Sequence, residues 1–428
     1  MKHLLLTNIL LIAAFAQAQD LYFPPAQDDG WETTAMADIG WCEDRLPAVN
    51  DFMTSSDSRS LMILKGGKIV VEEYYNGHSR DSLWYWASAG KTLTAMEIGI
   101  LQSEGALDIT DSTSDYLGSG WTSCTPEQEA AIQIRHQLTM STGLDYTVQS
   151  SDCTDPDCLL YLGDPNSEWF YHNAPYTLLS DVIEEASGLG RNVHTFLSVG
   201  QKTGILGGWL SIDENIVFVS KTTTMARFGL LMLAEGEWSG ETILADKDYY
   251  QQMISPSQDL NPSYGYLWWL NTGPTYRLPT TTIDFSGRLL SNAPAEVYMA
   301  LGKNGQIIVV DPTSDLVVVR MGDSPDQSLV PTAFVQELWD QVQSLSCTTS
   351  TDPLSESDIK ILPNPTSDVL TIHTEDQVSL AKVYSISNGQ LMTTANSKYI
   401  DTTSLPAGLY IISITTARGT YTKRFVKS

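Results

Sequence analysis

The sequence predicts a mixed α/β (α+β) domain, in which an antiparallel sheet is flanked by helices and joined to a mostly helical subdomain. A small C-terminal β-sandwich follows it. Three observations predict this. Within the first 346 residues, β-patterned runs stand near both ends and helix-patterned runs stand between them, as when one sheet collects strands from both ends of a chain. The stretch 347–357, Cys-Thr-Thr-Ser-Thr-Asp-Pro-Leu-Ser-Glu-Ser, is small and polar, as linkers are. Beyond it, short apolar runs alternate with turn residues to the end of the chain.

The chain has 428 residues, room for roughly two or three domains. It opens on Lys2 and His3, a mostly apolar run from Leu4 to Phe15, and the small-x-small triplet Ala16-Gln17-Ala18. That is the pattern of an export signal over residues 1–18, with a mature chain beginning at Gln19. The apolar run is too short to span a bilayer, and no later run is apolar enough to do so. The expected division is then a signal at 1–18, a main domain at 19–346, a linker at 347–357 and a terminal module at 358–428.

Net charge is -27. Nucleic acid and anionic lipid both demand a basic footprint, so neither is an expected partner. Charge is unevenly spread: residues from 358 onward carry seven Lys/Arg against five Asp/Glu, so the acidity lies in the earlier part. The five cysteines are Cys42, Cys124, Cys153, Cys158 and Cys347. In an exported chain they can form disulfides. Cys153 and Cys158 flank a four-residue loop and are the expected pair. Cys42 with Cys124 is a second candidate pairing, leaving Cys347 as the odd thiol. Their spacing does not fit a zinc site.

In the main domain, Leu61 to Tyr75 reads as a hairpin turning at Gly66-Gly67, and Ile307 to Val319 as another turning at 311–315. Ser88 to Glu104 carries Leu93, Met96, Ile100 and Leu101 at helical spacing and stops at Gly105. Tyr176 to Gly188 repeats the pattern with Leu178, Leu179, Val182, Ile183 and Ala186, and Val330 to Leu345 reads as a closing helix. In the terminal module, Val369 to Thr374 and Leu409 to Ile414 read as strands. Asn388-Gly389, Pro406-Ala407-Gly408 and Arg418-Gly419 read as turns. This module resembles the type A C-terminal sorting domain of the type IX secretion system of Bacteroidetes. The matching segments are Leu362-Pro363-Asn364-Pro365, Asn388-Gly389-Gln390, Leu405 to Tyr410 and the basic end Lys423-Arg424-Phe425-Val426-Lys427. The resemblance implies the type IX machinery as a partner, passage across the outer membrane, and a secreted or cell-surface product.

Chemistry points to Ser88-Ala89-Gly90-Lys91. At the start of a helix, positions i and i+3 share a face, so the Lys91 amine can stand beside the Ser88 hydroxyl. A serine hydroxyl becomes a useful nucleophile only when a base takes its proton. Lysine serves as that base when burial brings its pKa down from about 10.4. The same spacing recurs at Ser379 and Lys382, but in a strand those positions face opposite sides. Gly90-Lys91-Thr92 echoes a phosphate loop, yet Tyr85 stands where that motif needs glycine.

Two further segments complete the set. Tyr171-His172-Asn173 precedes Pro175 and offers a phenol for proton relay and an amide for Lys91 or substrate. Lys303-Asn304-Gly305, followed by Gln306 and an apolar run, offers a cation, a glycine for close approach of substrate backbone, and a Gln306 N–H to join that of Ser88 as an oxyanion hole. Lys202-Thr203-Gly204 is the rival for this third position, but it opens no β-run. His136 and His172 read as structural, since no Gly-x-Ser-x-Gly elbow presents a serine to them. Trp84, Tyr85, Trp86, Trp268 and Trp269 are divided between cleft wall and core.

Ser-x-x-Lys, then Tyr-x-Asn, then Lys-x-Gly late in the domain resembles the serine β-lactamase and penicillin-binding protein superfamily. The class C branch, with its esterases, D-amino-acid peptidases and 6-aminohexanoate-oligomer hydrolases, looks nearest over about residues 40 to 345. Supporting segments are 135–144, Met225 to Gly229, Tyr264 to Trp269, and Asp311-Pro312 before Leu316 to Val319. The resemblance implies a β-lactamase/transpeptidase-like fold and a secreted serine hydrolase. Ser88 would be acylated, Lys91 and Tyr171 would move protons, and Asn173 and Lys303 would place an ester, amide or peptide substrate, with no metal or organic cofactor. Asn304 stands where penicillin-interacting members carry threonine, which argues against strong β-lactam turnover. A D-alanyl carboxypeptidase acting on peptidoglycan peptides and a non-catalytic binding module on the same fold are the alternatives.

Overall fold

Leu61 to Leu64, every one of them buried, form the centre of a strand covered on both faces. The computed structural model describes residues 21–27, 30–325, 330–347, 359–374, 377–386, 390–416 and 419–428. The expected export signal at 1–18, the stretch 348–357 of the expected linker, the Asn388-Gly389 turn and Arg418 lie outside them. Contacts divide the chain into two units, Met1–Cys347 and Thr348–Ser428.

The first unit is built on β1 (Ser58–Lys65), β2 (Lys68–Tyr74), β3 (Trp269–Leu270), β4 (Tyr298–Gly302), β5 (Gln306–Asp311) and β6 (Leu316–Gly322). They form one antiparallel sheet in the order β2-β1-β6-β5-β4-β3. Both expected hairpins are present: β1 and β2 turn at Gly66 and Gly67, both with positive φ, and β5 and β6 turn through Asp315. The first and last parts of the domain meet where β1 pairs with β6, Ile63 opposite Val318.

The principal helices of the unit are α1 (Leu46–Ser55), α2 (Lys91–Ser103), α3 (Leu179–Ser187), α4 (Thr222–Leu233) and α5 (Thr332–Ser344). Helix α4 lies directly on the sheet. A Cβ at its Gly229 would stand 2.5 Å from Val317 Cγ1, so only glycine allows that approach. Helix α5 covers the opposite face, because the Arg320 guanidinium lies 4.9 Å from the Phe334 ring and residues 317 and 320 of a strand face opposite ways. Phe334 in turn stacks on Phe52 of α1 at 5.6 Å. Helix α2 is buried from Lys91 to Leu101 and forms the axis of the helical part. Beneath it the Glu97 carboxylate meets Arg191 at 2.6 Å and accepts the Thr195 hydroxyl.

Cys153 and Cys158 are bonded to each other. The second pairing corrects the sequence expectation. Cys42 is joined to Cys347 across 305 residues, and Cys124 is the free thiol. The cause is a short backbone bridge between the two ends of the unit: Cys42 N–H donates to Leu345 O and Cys347 N–H to Gly40 O, both at 2.8 Å. Cys347 therefore belongs to the first unit rather than to a linker.

The second unit is all strand. Lys360–Leu362, Val369–His373 and Tyr399–Asp401 make a three-stranded sheet. Leu391–Ala395, Val378–Ser385, Gly408–Thr416 and Gly419–Lys427 make a four-stranded one. Leu370, Ile372, Val383, Ile412, Ile414 and Phe425 share one core between them. Ser379 lies in a strand, as expected, and its hydroxyl is spent on Thr415 O.

Candidate active site

Ser88 is delivered by a strand and a strained turn. Trp84–Tyr85 pairs with Asn215–Ser220, Trp86 N–H donates to Phe218 O at 2.8 Å, and the Trp86 indole N–H donates to Ser220 Oγ. The chain then turns at Ala87, a non-glycine residue at φ 46, into the short 3-10 helix Ala87–Gly90 that leads into α2. Positive φ at such a residue is costly and persists only where surrounding structure holds it. Here the paired strand and the anchored indole hold it. Ser88 is left half-buried at the head of a buried helix.

Lys91, one turn later, is 3% exposed. Burial brings its amine down to about 7, and the nearby Asp152 carboxylate pulls it partly back up. Near neutral pH a large share of Lys91 is therefore the free base. Its Nζ lies 3.5 Å from the centre of the Tyr176 ring and 5.5 Å from that of Tyr171.

Tyr171 is brought to the same place by the segment ahead of the short helix Asn173–Thr177, and its phenol lies within hydrogen-bonding reach of Ser88. Burial raises the phenol well above its ordinary range, so it is neutral and can give or pass a proton but not hold a charge cheaply. Trp269 stacks on its ring at 5.9 Å, with Tyr264 and Trp169 edge-on around the pair. Asn173 gives its Nδ2 hydrogen to Asp152 at 2.7 Å, and its Oδ1 is buried with no partner among the described residues.

The third expected segment is placed differently. Lys303–Gly305 is a tight turn between β4 and β5, with Asn304 at φ 63 and Gly305 at φ 74. Gly305 is thus a turn residue, not a glycine on an active-site strand. The Gln306 side chain is turned to the end of β6, bonding Gly322 O at 2.6 Å and Gly322 N–H at 3.1 Å. Gln306 itself pairs with Gly302 as the first rung of the β4–β5 ladder. The Lys303 side chain is exposed, while Asn304 Nδ2 donates to the Tyr85 hydroxyl. The residue that lies against the Ser88 turn is Gly302, the last of β4. A Cβ there would stand 2.5 Å from Trp86 O and 2.9 Å from Ala89 N. A three-residue pattern that opens on lysine cannot find it, because the signal is a missing side chain.

The remaining expectations sort cleanly. Lys202 and Thr203 end a short helix that Gly204 stops at φ 72. His136 is fully engaged, accepting Gln133 N–H at Nδ1 and meeting Asn166 at Nε2, and burial holds it down at about 4. His172 is buried with no partner on either nitrogen among the described residues and is likewise held at about 4 by burial. Trp86 and Trp268 pack into the core, whereas Trp269 backs the Tyr171 ring. Asp152, Tyr176 and Gly302 are the site residues that sequence reasoning missed. No group of His, Cys, Asp and Glu among the described residues could hold a metal ion. A hollow of about 320 Å³ is lined by Thr142, Tyr146, Glu168 and His172 among others, and Ser88 is not part of its lining.

The chain is similar to several known proteins. A family model described as Beta-lactamase matches residues 48–197, and one described as Secretion system C-terminal sorting domain matches residues 360–428. The chain is 20% identical over 331 residues to the 6-aminohexanoate-dimer hydrolase of Paenarthrobacter ureafaciens, covering 66% of this chain and 76% of that protein. A penicillin-binding protein homolog from Caulobacter crescentus shares the fold with a TM-score of 0.55 at 13% identity, covering 71% of this chain and 98% of that one. A beta-lactamase from Mycobacterium bovis does so with a TM-score of 0.52 at 14% identity, covering 71% and 100%. The first unit therefore holds a β-lactamase/transpeptidase-like domain, with 6-aminohexanoate-dimer hydrolase among its homologues, and residues 360–428 form a type IX secretion C-terminal sorting domain.

Proposed function

We propose that this chain is an exported serine hydrolase that cleaves an ester or amide bond through an acyl-enzyme on Ser88. The observation that carries the reading is a single cluster: a half-buried hydroxyl, a buried amine held near 7 one turn away, and a neutral phenol within reach of that hydroxyl.

Lys91, as the free amine, takes the Ser88 proton while Oγ attacks the substrate carbonyl carbon. The carbonyl oxygen gathers negative charge beside the Ser88 N–H and the backbone at the end of β4, which the missing side chain of Gly302 lets approach the Ser88 turn. The proton passes through the Tyr171 phenol to the leaving alkoxide or amine, which departs as the alcohol or amine. Water then adds to the ester carbonyl of the acyl-enzyme. The carboxylic acid leaves and Ser88 regains its proton. The unpartnered Oδ1 of Asn173 is available to a substrate N–H or to the Lys91 ammonium. Lys303, exposed and next in sequence to Gly302, is available to an anionic part of a substrate.

Secretion follows from the sorting domain, and the leader at 1–18 would supply the first step of export. The test is covalent labelling with a fluorophosphonate probe, followed by peptide mapping. Label on the peptide holding Ser88, absent from Ser88→Ala, supports the reading. Label elsewhere, or hydrolysis of nitrophenyl esters that survives Ser88→Ala, overturns it.

A further inference from the structure

Lys91 and Tyr176 make the closest contact in the site that the scheme above leaves without a task. The amine nitrogen sits 3.5 Å from the centre of the Tyr176 ring, well inside the distance at which a ring face attracts a cation. The ring is not free to turn away. Tyr176 is 6% exposed, and its hydroxyl meets Thr94 Oγ1 at 3.3 Å. Thr94 Oγ1 in turn accepts Arg191 Nη2 at 2.9 Å, and Arg191 is fixed by Glu97 at 2.6 Å. A chain of polar contacts thus runs from the buried ion pair beneath α2 to the ring beside the base.

We propose that Tyr176 is a positioning residue for Lys91, its ring face cradling the ammonium that forms when Lys91 accepts the Ser88 proton. This rests on the reading of Lys91 as the base. The physical case is one of asymmetry. Neutral amine and ammonium fit the same space, but only the ammonium is attracted by the quadrupole of the ring. A carboxylate in that place would hold the lysine charged at rest and remove the base. The ring favours the charged form modestly, so it helps in the transition state without spoiling the ground state. The other groups near the amine are Ser88 on the turn that leads into α2, Tyr171 on the neighbouring segment, and Asp152 on the loop before it, where it holds Asn173. Glu97 and Arg191 neutralise each other below. Asp152 is the single carboxylate among them whose charge reaches Lys91.

The experiment compares the full exported chain with Tyr176→Phe, which keeps the ring face, and with Tyr176→Leu and Tyr176→Met, which fill the space without one. The first readout is the titration of Lys91 itself, followed by NMR in protein labelled with ¹³C at lysine Cε and assigned with Lys91→Arg. It needs no substrate. Tyr176→Phe should leave the midpoint in place, and the Leu and Met variants should move it down by about half a unit or more. The second readout is kcat/KM for a nitrophenyl ester against pH. The same two variants should lose on the order of tenfold on the plateau, with the acid limb shifted to lower pH, and Tyr176→Phe should restore both. A Lys91 midpoint unmoved in both apolar variants overturns the proposal. So does a Tyr176→Phe protein as altered as the Leu variant. If the NMR midpoints move as stated while no variant, wild type included, shows Ser88-dependent hydrolysis, the contact stands and the hydrolase reading falls.

Discussion

Gly302 lies so close beneath Trp86 that a Cβ at 302 would stand 2.5 Å from the Trp86 carbonyl oxygen, with Ala89 N at 2.9 Å. Its φ of −124° suits any residue, so the need for glycine is steric alone. Gly302→Ala should therefore leave the main fold intact but push the end of β4 away from the Ser88 turn. A displacement of that size at a reacting centre costs about a hundredfold in rate. The check is kcat/KM beside circular dichroism. A Gly302→Ala protein with wild-type activity would separate this strand end from catalysis.

Asp152 acts on Lys91 by charge and on Asn173 by a hydrogen bond, and the two effects can be separated. Asp152→Asn keeps an oxygen for Asn173 Nδ2 and removes the charge that raises the Lys91 amine. Lys91 should then titrate below 7, and the acid limb of kcat/KM should move to lower pH. The reverse shift, read from a pH–rate profile, would contradict the assignment.

Burying Lys91 has a stability cost whose sign follows from linkage. Its amine titrates at about 7 in the folded chain and near 10.4 when unfolded, so between those values the unfolded chain binds more protons. The contribution of this group to stability rises with pH through that window and is least favourable below it. Lys91→Met should abolish hydrolysis yet raise the unfolding free energy at pH 7 by on the order of 2 kcal/mol or more. The gain should shrink towards pH 10. Denaturant titrations at the two pH values test it.

The Glu97–Arg191 pair is almost wholly enclosed, with side chains 0% and 6% exposed, and Thr94 and Thr195 complete it. Removing one partner strands the other charge, so Arg191→Ala should destabilise the first unit by about 3–5 kcal/mol. The double change Glu97→Leu with Arg191→Met should cost less than the single one, which a comparison of urea midpoints can decide.

The Cys42–Cys347 bond closes a loop of 305 residues. Cys42→Ser should lower stability by about 2–5 kcal/mol. Cys153→Ser, which opens a loop of five, should cost less. Thermal melts of the oxidised proteins measure the difference.

Periodicity alone located β1, β2, β5, β6, α2, α3 and α5, because each buries a face that local alternation or helical spacing records. The pair Ser88 and Lys91 was legible for the same reason: one turn of helix joins them, and helix geometry is local. What lay beyond the sequence is long-range. Cys42 meets Cys347 through a backbone bridge that no spacing encodes, and Asp152 and Tyr176 reach Lys91 only after three separate segments pack together. The third segment shows the limit most plainly. Lysine, asparagine and glycine at 303–305 read as an active-site strand, but two successive positive φ values make them a turn, and the strand beside Ser88 ends one residue earlier at Gly302. Side-chain chemistry along the chain picked out the proposed nucleophile and its proposed base. Only tertiary packing decided how dry the amine is, what faces it, and which backbone stands beside the serine, since those depend on neighbours far away in sequence.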